Sequence, residues 1–374
     1  MIPIDIIQLN GSGYVRGHQW GECRRDPIRS CTADWLASLK SSGIADPTRY
    51  LQRMSGETDF LAAIREHAAE MLEELAGMGA ATGIPHELLL AAQLMDEEWA
   101  YRSHQNVGTA PLEKCSSVAV MAQSGRVWAG QNMDLGGYTD GHQYLMRIAG
   151  SATEPAAIIF TIGAMIALMG VNSAGICVCV NSLPQLPAAP QGLPVAFVIR
   201  GLLRAASVAQ AVDFVCSVRH ATGQHYLIAD AESIHSFEAS PAGVVEYQPP
   251  VPGRVLHTNH PLMEHPGARN FGSSTANSVA RLGSLSARLS SGSPELQSVR
   301  DALCSRDDPA NPVCRTATSD SRKNPLTGMT SFTTGSMLAA LVKLADHVDC
   351  WASAGPPCSR GYAHFTLRKC GPLE

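Results

Sequence analysis

Charge is the scarcest ingredient of this chain. Asp, Glu, Lys and Arg make up 16% of its 374 residues, against roughly a quarter in an ordinary soluble domain. It has no run of Lys and Arg, and its formal net charge is −5. Nucleic acid is therefore not expected as a partner, because phosphate binding needs clustered cations. Aromatic residues are also sparse, at 6%, but 45% of the chain is hydrophobic, which argues against disorder. No CxxC occurs among the 11 cysteines, whose number is odd and whose spacings are irregular. That pattern fits neither a zinc ribbon nor a disulfide framework. Reduced, mostly buried cysteines in a cytoplasmic protein are expected instead.

Other absences narrow the reading further. The start, Met1-Ile-Pro-Ile-Asp5, shows no charged stretch followed by an apolar one, so no signal peptide is expected. No charged residue and no histidine occurs between Glu154 and Arg200. The best apolar window there, Ala156 to Val171, is 16 residues long and is broken by Gly163 and Gly170. A membrane span needs about 18–20 residues, so buried strands are expected and no membrane partner. His257, His260 and His265 fit no helical or knuckle spacing for zinc, and neither a metal nor a cofactor is expected. Gly11-Ser-Gly13 lacks the full phosphate-loop pattern.

What is present divides at residue 114. Residues 1–114 are the denser in charge, with 26 of the 61 charged residues, and read as helical. From Phe60 to Leu75, Leu61, Ile64, Ala68, Met71, Leu72 and Leu75 form one stripe at helical spacing, with Gly77 and Gly79 as stop signals. A second helix starts at Pro85 and runs to about Tyr101. From Cys115 the period becomes strand-like, with short apolar runs at 118–120, 127–130, 144–148, 156–162 and 175–180. Helices are expected over 195–205 and 207–218, and strands over 224–230, 234–239 and 244–248. Helices follow over 277–289 and 295–304, then strands over 332–344 and 348–352. Strands, then helices, then strands indicate an α+β layered sandwich rather than a βαβ fold.

One cysteine, Cys115, sits at the junction of the two parts, in Leu112-Glu-Lys-Cys-Ser-Ser-Val-Ala-Val120. On the next expected strand lies Gly130-Gln-Asn-Met-Asp134. A hairpin would bring Asp134 near Cys115, which suits a nucleophile beside an orienting carboxylate. Read alone, Cys115 is equally a core cysteine and Asp134 a loop cap.

These two segments resemble the acyl-coenzyme A:6-aminopenicillanic acid acyltransferase family of cysteine N-terminal-nucleophile (Ntn) hydrolases. Other matches follow in order along the chain: Gly11-Ser-Gly-Tyr-Val-Arg-Gly-His-Gln-Trp-Gly21, Gly170-Val-Asn-Ser-Ala-Gly175 with Val180-Asn-Ser-Leu183, His257-Thr-Asn-His260, Cys314-Arg315 and Gly355-Pro-Pro-Cys358. The resemblance implies a four-layer αββα sandwich with an N-terminal helical segment. Residues 1–114 would be a pro-segment, retained as a non-covalent subunit after self-cleavage at Lys114-Cys115, and 115–374 the catalytic unit. It also implies site roles: Cys115 as nucleophile, Asp134 orienting its amine or backbone, and Asn259 in the oxyanion hole. Asn172 would be a second site asparagine, and Arg315 would hold charge near the thiol.

The implied substrate is a small-molecule amide or acyl thioester, cleaved through an acyl-cysteine intermediate. Three departures are visible. Lys114 stands where the family typically has Gly, and Gln131 where the related choloylglycine (bile-salt) hydrolases carry Arg. Asp96-Glu-Glu-Trp99 replaces the pattern associated with the acyltransferase branch, and it either faces the substrate and reads an amine or is a solvated helix end. Without the resemblance, Asn259 and Asn172 read as turn residues and Arg315 as a surface ion pair. Two rival readings remain open: an uncleaved cysteine enzyme with His257 or His260 as base, and a non-catalytic binding protein on the same fold.

Overall fold

The structure is a computed structural model describing residues 3–105, 114–269, 275–316 and 331–369. The N-terminal part runs β1 (Ile6–Leu9), α1 (Gly13–Ser41), α2 (Pro47–Glu57), α3 (Phe60–His67), α4 (Ala69–Thr82), α5 (His86–Ala91) and α6 (Met95–Gln105). The stripe from Phe60 to Leu75 is thus two helices, broken at Ala68, whose φ of −150° is not helical. The helix expected from Pro85 is likewise split, at Ala92–Leu94.

Gly77 and Gly79 do not stop α4, which ends at Gly83 with a left-handed φ of 71°. Their neighbours explain why. A Cβ at Gly77 would collide with the Tyr14 carbonyl, and Cβ atoms at Gly13 and Gly17 would collide with the carbonyls of Glu70 and Glu74. The glycines of the Gly11–Gly21 segment therefore let α1 and α4 pack almost backbone to backbone. A Gly17→Val variant is expected to melt several degrees lower, reflecting an overpacking cost of about 3 kcal/mol. Thermal denaturation checks this, and an unchanged melting temperature would remove the seam from the account.

The remainder forms two sheets. Its strands are β2 (Lys114–Met121), β3 (Val127–Gly136), β4 (Gln143–Ile148), β5 (Ala157–Ile162), β6 (Met169–Asn172) and β7 (Cys177–Ser182). After α7 (Val195–Leu203) and α8 (Val208–Ser217) come β8 (Gln224–Ala229), β9 (Ile234–Ser240), β10 (Gly243–Glu246) and β11 (Arg254–His257). Next are α9 (Ala276–Leu289), α10 (Leu296–Leu303), β12 (Ser331–Leu341), β13 (His347–Ser353), α11 (Pro357–Arg360) and β14 (Ala363–Arg368). The first sheet has the order β1-β4-β5-β6-β7-β8-β9-β10, and the second β11-β2-β3-β12-β13-β14. Among the described residues, every pairing between these strands is antiparallel except β1 with β4. The N-terminal part is therefore not purely helical, because β1 adds an edge strand to the larger sheet.

The sheets meet face to face. Phe160 of β5 lies against Gly335 of β12, where any Cβ would clash with the ring. On the far side of the smaller sheet, Val118, Val120, Trp128 and Leu338 pack under Leu285, Leu289, Val299 and Leu303 of α9 and α10. On the far side of the larger sheet, α7 covers β6 and β7, and α8 packs on β8. These layers are the expected four-layer αββα sandwich. The uncharged stretch 155–199 supplies β5, β6, β7 and the start of α7, most of it buried. Among the described residues no helix is long and apolar enough to cross a membrane.

Candidate active site

The β2–β3 hairpin sets Cys115 opposite Met133 and Lys114 opposite Asp134. Side chains alternate along β2. Ser116, Val118 and Val120 face the α9–α10 layer, whereas Cys115, Ser117 and Ala119 face the other sheet. The Cys115 thiol thus points between the sheets, 3.3 Å from the Met133 sulfur. It opens on a cavity shared with Met95, Asp96, Met165, Ser182, Gln224 and Ile199.

Asn259 reaches Cys115 because β11 pairs antiparallel with β2, His257 opposite Ser117. Two residues further on, Asn259 Oδ1 accepts the Cys115 backbone N–H at 2.7 Å. The Asn259 backbone is pinned in turn: its N–H donates to Ser278 Oγ at 2.7 Å, and its carbonyl accepts from Gln185 Nε2 at 3.0 Å.

The arginine that serves this cluster is Arg281 of α9. Fully buried, it donates to the Cys115 carbonyl at 2.6 Å, Ser116 Oγ at 2.8 Å, Asn259 Oδ1 at 2.9 Å and Asn277 Oδ1 at 2.9 Å. A guanidinium can only donate, so the Asn259 atom facing it has to be the oxygen. That fixes the amide orientation and turns Nδ2 toward the Ser182 carbonyl, 3.0 Å away on the cavity wall. Burial lowers the Arg281 pKa to about 10.

The Asp134 carboxylate accepts Thr333 Oγ1 at 2.6 Å. A register shift between Thr333 and Gly335 aligns Thr333 with Asp134. Arg315 shares that threonine: its N–H donates to Thr333 Oγ1 at 2.9 Å, and its carbonyl accepts the Thr333 N–H at 2.9 Å. Its guanidinium donates to Ser331 Oγ at 3.0 Å. Arg315 is thus linked to Asp134 through Thr333, and Asp134 lies opposite Lys114, the residue before Cys115. Burial pushes the Cys115 thiol well above its ordinary value, with the charges of Asp134 and Asp96 adding and Arg281 opposing.

Asn172 lies elsewhere. Its Nδ2 donates to the carbonyls of Leu203 at 3.0 Å and Ala205 at 2.8 Å, and its Oδ1 accepts from Ala174 and Ile176. It ties the β6–β7 turn to the end of α7 and is not among the residues lining the Cys115 cavity.

The two histidines weighed as bases are both engaged. His257 Nδ1 meets the Thr258 carbonyl and Nε2 meets Glu238, each at 2.8 Å, while the ring stacks on His225 at 3.7 Å. His260 Nδ1 lies 2.7 Å from Ser278 Oγ, and burial lowers the His260 pKa to about 4.

Arg281, Ser278 and Thr333 were not anticipated from the sequence. Arg281 carried a signal: Ser278, Arg281, Leu285 and Leu289 form the buried stripe of α9. A charge on an otherwise apolar stripe has to have a specific partner. Among the described residues, no group of three or more His, Cys, Asp or Glu is arranged to hold a metal ion.

Comparison with known proteins adds a lineage. The family model described as "Acyl-coenzyme A:6-aminopenicillanic acid acyl-transferase" matches residues 120–336, more than half of the chain. A curated relative, the acyl-coenzyme A:6-aminopenicillanic-acid-acyltransferase 40 kDa form of Emericella nidulans, is 28% identical over 152 residues. That match covers 40% of this chain and 42% of the relative, so the chain spans less than half the length of that relative. Among solved structures, a mutant conjugated bile acid hydrolase from Clostridium perfringens is 13% identical with a TM-score of 0.46, covering 68% of this chain and 92% of the other. A Caenorhabditis elegans N-acylethanolamine-hydrolyzing acid amidase ortholog is 14% identical with a TM-score of 0.41, covering 60% and 92%.

Proposed function

We propose, on the premise that the chain belongs to the acyl-coenzyme A:6-aminopenicillanic acid acyl-transferase family, that it is a self-processing cysteine amidohydrolase or acyltransferase of the Ntn type. The Cys115 thiol attacks the Lys114 carbonyl, the acyl group moves from nitrogen to sulfur, and water releases residues 1–114. The freed α-amine has a reference pKa near 8 and acts as general base for its own thiol. The thiolate then attacks the carbonyl of a small amide or acyl thioester. The amine or thiol leaves, and the acyl-Cys115 thioester passes its acyl group to water or to an amine.

One observation carries this reading: Cys115 offers its nitrogen and its sulfur to different partners. The nitrogen is held on Asn259 Oδ1 at 2.7 Å while the thiol enters the cavity. The same oxygen can accept from the α-amine once it is free, and Asn259 Nδ2, held on the Ser182 carbonyl at 3.0 Å, is the oxyanion donor of this reading. Arg281 fixes that orientation, Asp134 braces the strand opposite Lys114, and Arg315 supports Asp134 through Thr333. The reading with a histidine base has less support, since His257 has both ring nitrogens engaged.

Intact mass spectrometry with N-terminal sequencing tests the cleavage. Fragments of 114 and 260 residues are expected from the 374-residue chain, the larger beginning at Cys115. A mature terminus at any other residue would overturn the proposal.

A further inference from the structure

The first turn of α6 carries three consecutive acids, Asp96, Glu97 and Glu98. Two of them hold the fold together. Glu98 pairs with Arg102 at 2.7 Å and accepts from Tyr50 at 2.7 Å. Glu97 accepts the Val195 N–H at the start of α7 and the Thr222 hydroxyl. Asp96 is the one that lines the Cys115 cavity. Its Oδ1 accepts from Ser182 and, at 2.9 Å, from Gln224 Nε2. Among the described residues it makes no ion pair. Most of the surrounding wall is apolar: Met133, Leu135, Leu168, Val180 and Ile199.

A carboxylate in such a wall, fixed by two neutral donors and lacking a cation, is costly unless its ligand supplies the charge. From this geometry we infer that Asp96 is the specificity residue of the site, and that the substrate carries a primary ammonium group on the half that occupies the cavity. This rests on the cysteine mechanism proposed above and names its substrate class. The space open to the centre of a water-sized sphere amounts to about 20 Å³, room for about one water molecule. A substrate is therefore admitted by rearrangement of Met95, Met133 and Met165, the kind of flexible side chain that adapts to fill or vacate a gap. An ammonium entering this way meets the Asp96 carboxylate in a low-dielectric wall, where such a pair discriminates strongly against a neutral isostere.

The test uses full-length wild-type protein and Asp96→Asn, which can keep both Oδ1 hydrogen bonds. Three amide substrates of equal length are compared: one neutral, one with a terminal ammonium in the acyl half, and one with it in the amine half. Wild type is expected to favour one ammonium-bearing amide over the neutral one by at least about 30-fold in kcat/KM. Asp96→Asn should lose that preference, its kcat/KM ratio between the ammonium-bearing and the neutral amide falling to within a few-fold of one. Equal rates on all three by wild type, or a parallel fall on all three in the variant, would overturn the inference. Hydroxylamine trapping of the acyl-Cys115 thioester from the neutral amide is the separate control. If no thioester forms from any amide, the cysteine mechanism itself fails.

Discussion

A Cys115→Ala chain is expected to remain a single 374-residue polypeptide and to lose amide turnover by about 10⁴-fold or more. Removal of a covalent nucleophile has effects of that order or larger in well-studied hydrolases. The substitution deletes one sulfur from the cavity wall and leaves the backbone N–H that donates to Asn259, so the fold should survive and the loss can be assigned to chemistry. Two readouts separate the roles of the thiol. A gel reports the self-cleavage, which needs the thiol but no α-amine. Substrate turnover reports the mature reaction, which needs both.

The pH dependence should differ between the two readouts as well. In the uncleaved chain, burial and the neighbouring Asp134 and Asp96 hold the thiol protonated well above its usual range. The thiolate fraction, and with it the rate of self-cleavage, should therefore climb about tenfold per pH unit through neutrality, without a plateau below the ordinary cysteine pKa. In the mature enzyme the α-amine takes over as base, and kcat/KM should level off once that amine is deprotonated, near pH 8. Similar profiles for both reactions would remove the α-amine from the mechanism. An activity that survives in Cys115→Ala would remove the cysteine.

The parts of this site differ in how far they could be read from the sequence, and the reason is contact distance along the chain. Cys115 and Asp134 lie on adjacent strands joined by a short turn, so alternation and a hairpin were enough to bring their strands together. Asn259 is 144 positions from Cys115, and no local pattern reports a partner at that separation; only the ordered set of motifs singled it out. For Asn172 the plain turn reading describes its hydrogen bonds: Oδ1 accepts from Ala174 and Ile176 within its own turn. At the level of the fold, the long amphipathic segments were legible as helices, but their breaks at Ala68 and Ala92–Leu94 were not, because helical spacing continues across them. The edge strand β1 escaped notice for a related reason. Ile6–Leu9 is four residues long, and its role depends on pairing with β4. The glycines of α1 were legible as a motif and illegible as packing, since their purpose is the approach of α4.

Arg281 offers the second large effect. Replacing it with methionine, which keeps most of the volume, would leave the Cys115 carbonyl, Ser116 Oγ and Asn259 Oδ1 without their shared donor. Hydrogen bonds to a charged group contribute about 1.5–3 kcal/mol each, and each 1.36 kcal/mol is tenfold in rate. With Asn259 free to turn its amide over, both the hold on the Cys115 nitrogen and the oxyanion donor are compromised. Arg281→Met is therefore expected to lower both self-cleavage and kcat/KM by about 10²–10³-fold. Because a buried arginine also supports α9, the activity loss has to be read against folding, and Arg281→Lys supplies the contrast. Lysine restores the charge but cannot span Cys115, Ser116 and Asn259 from one planar group. Its melting temperature should lie closer to wild type than that of Arg281→Met, while its turnover stays at least about tenfold down. If Arg281→Lys melts and turns over like wild type, the charge alone matters and the orienting role fails. If both variants fold and retain activity within a few-fold, Asn259 is held without Arg281, and the clamp across Cys115 and Asn259 has no part in the reaction.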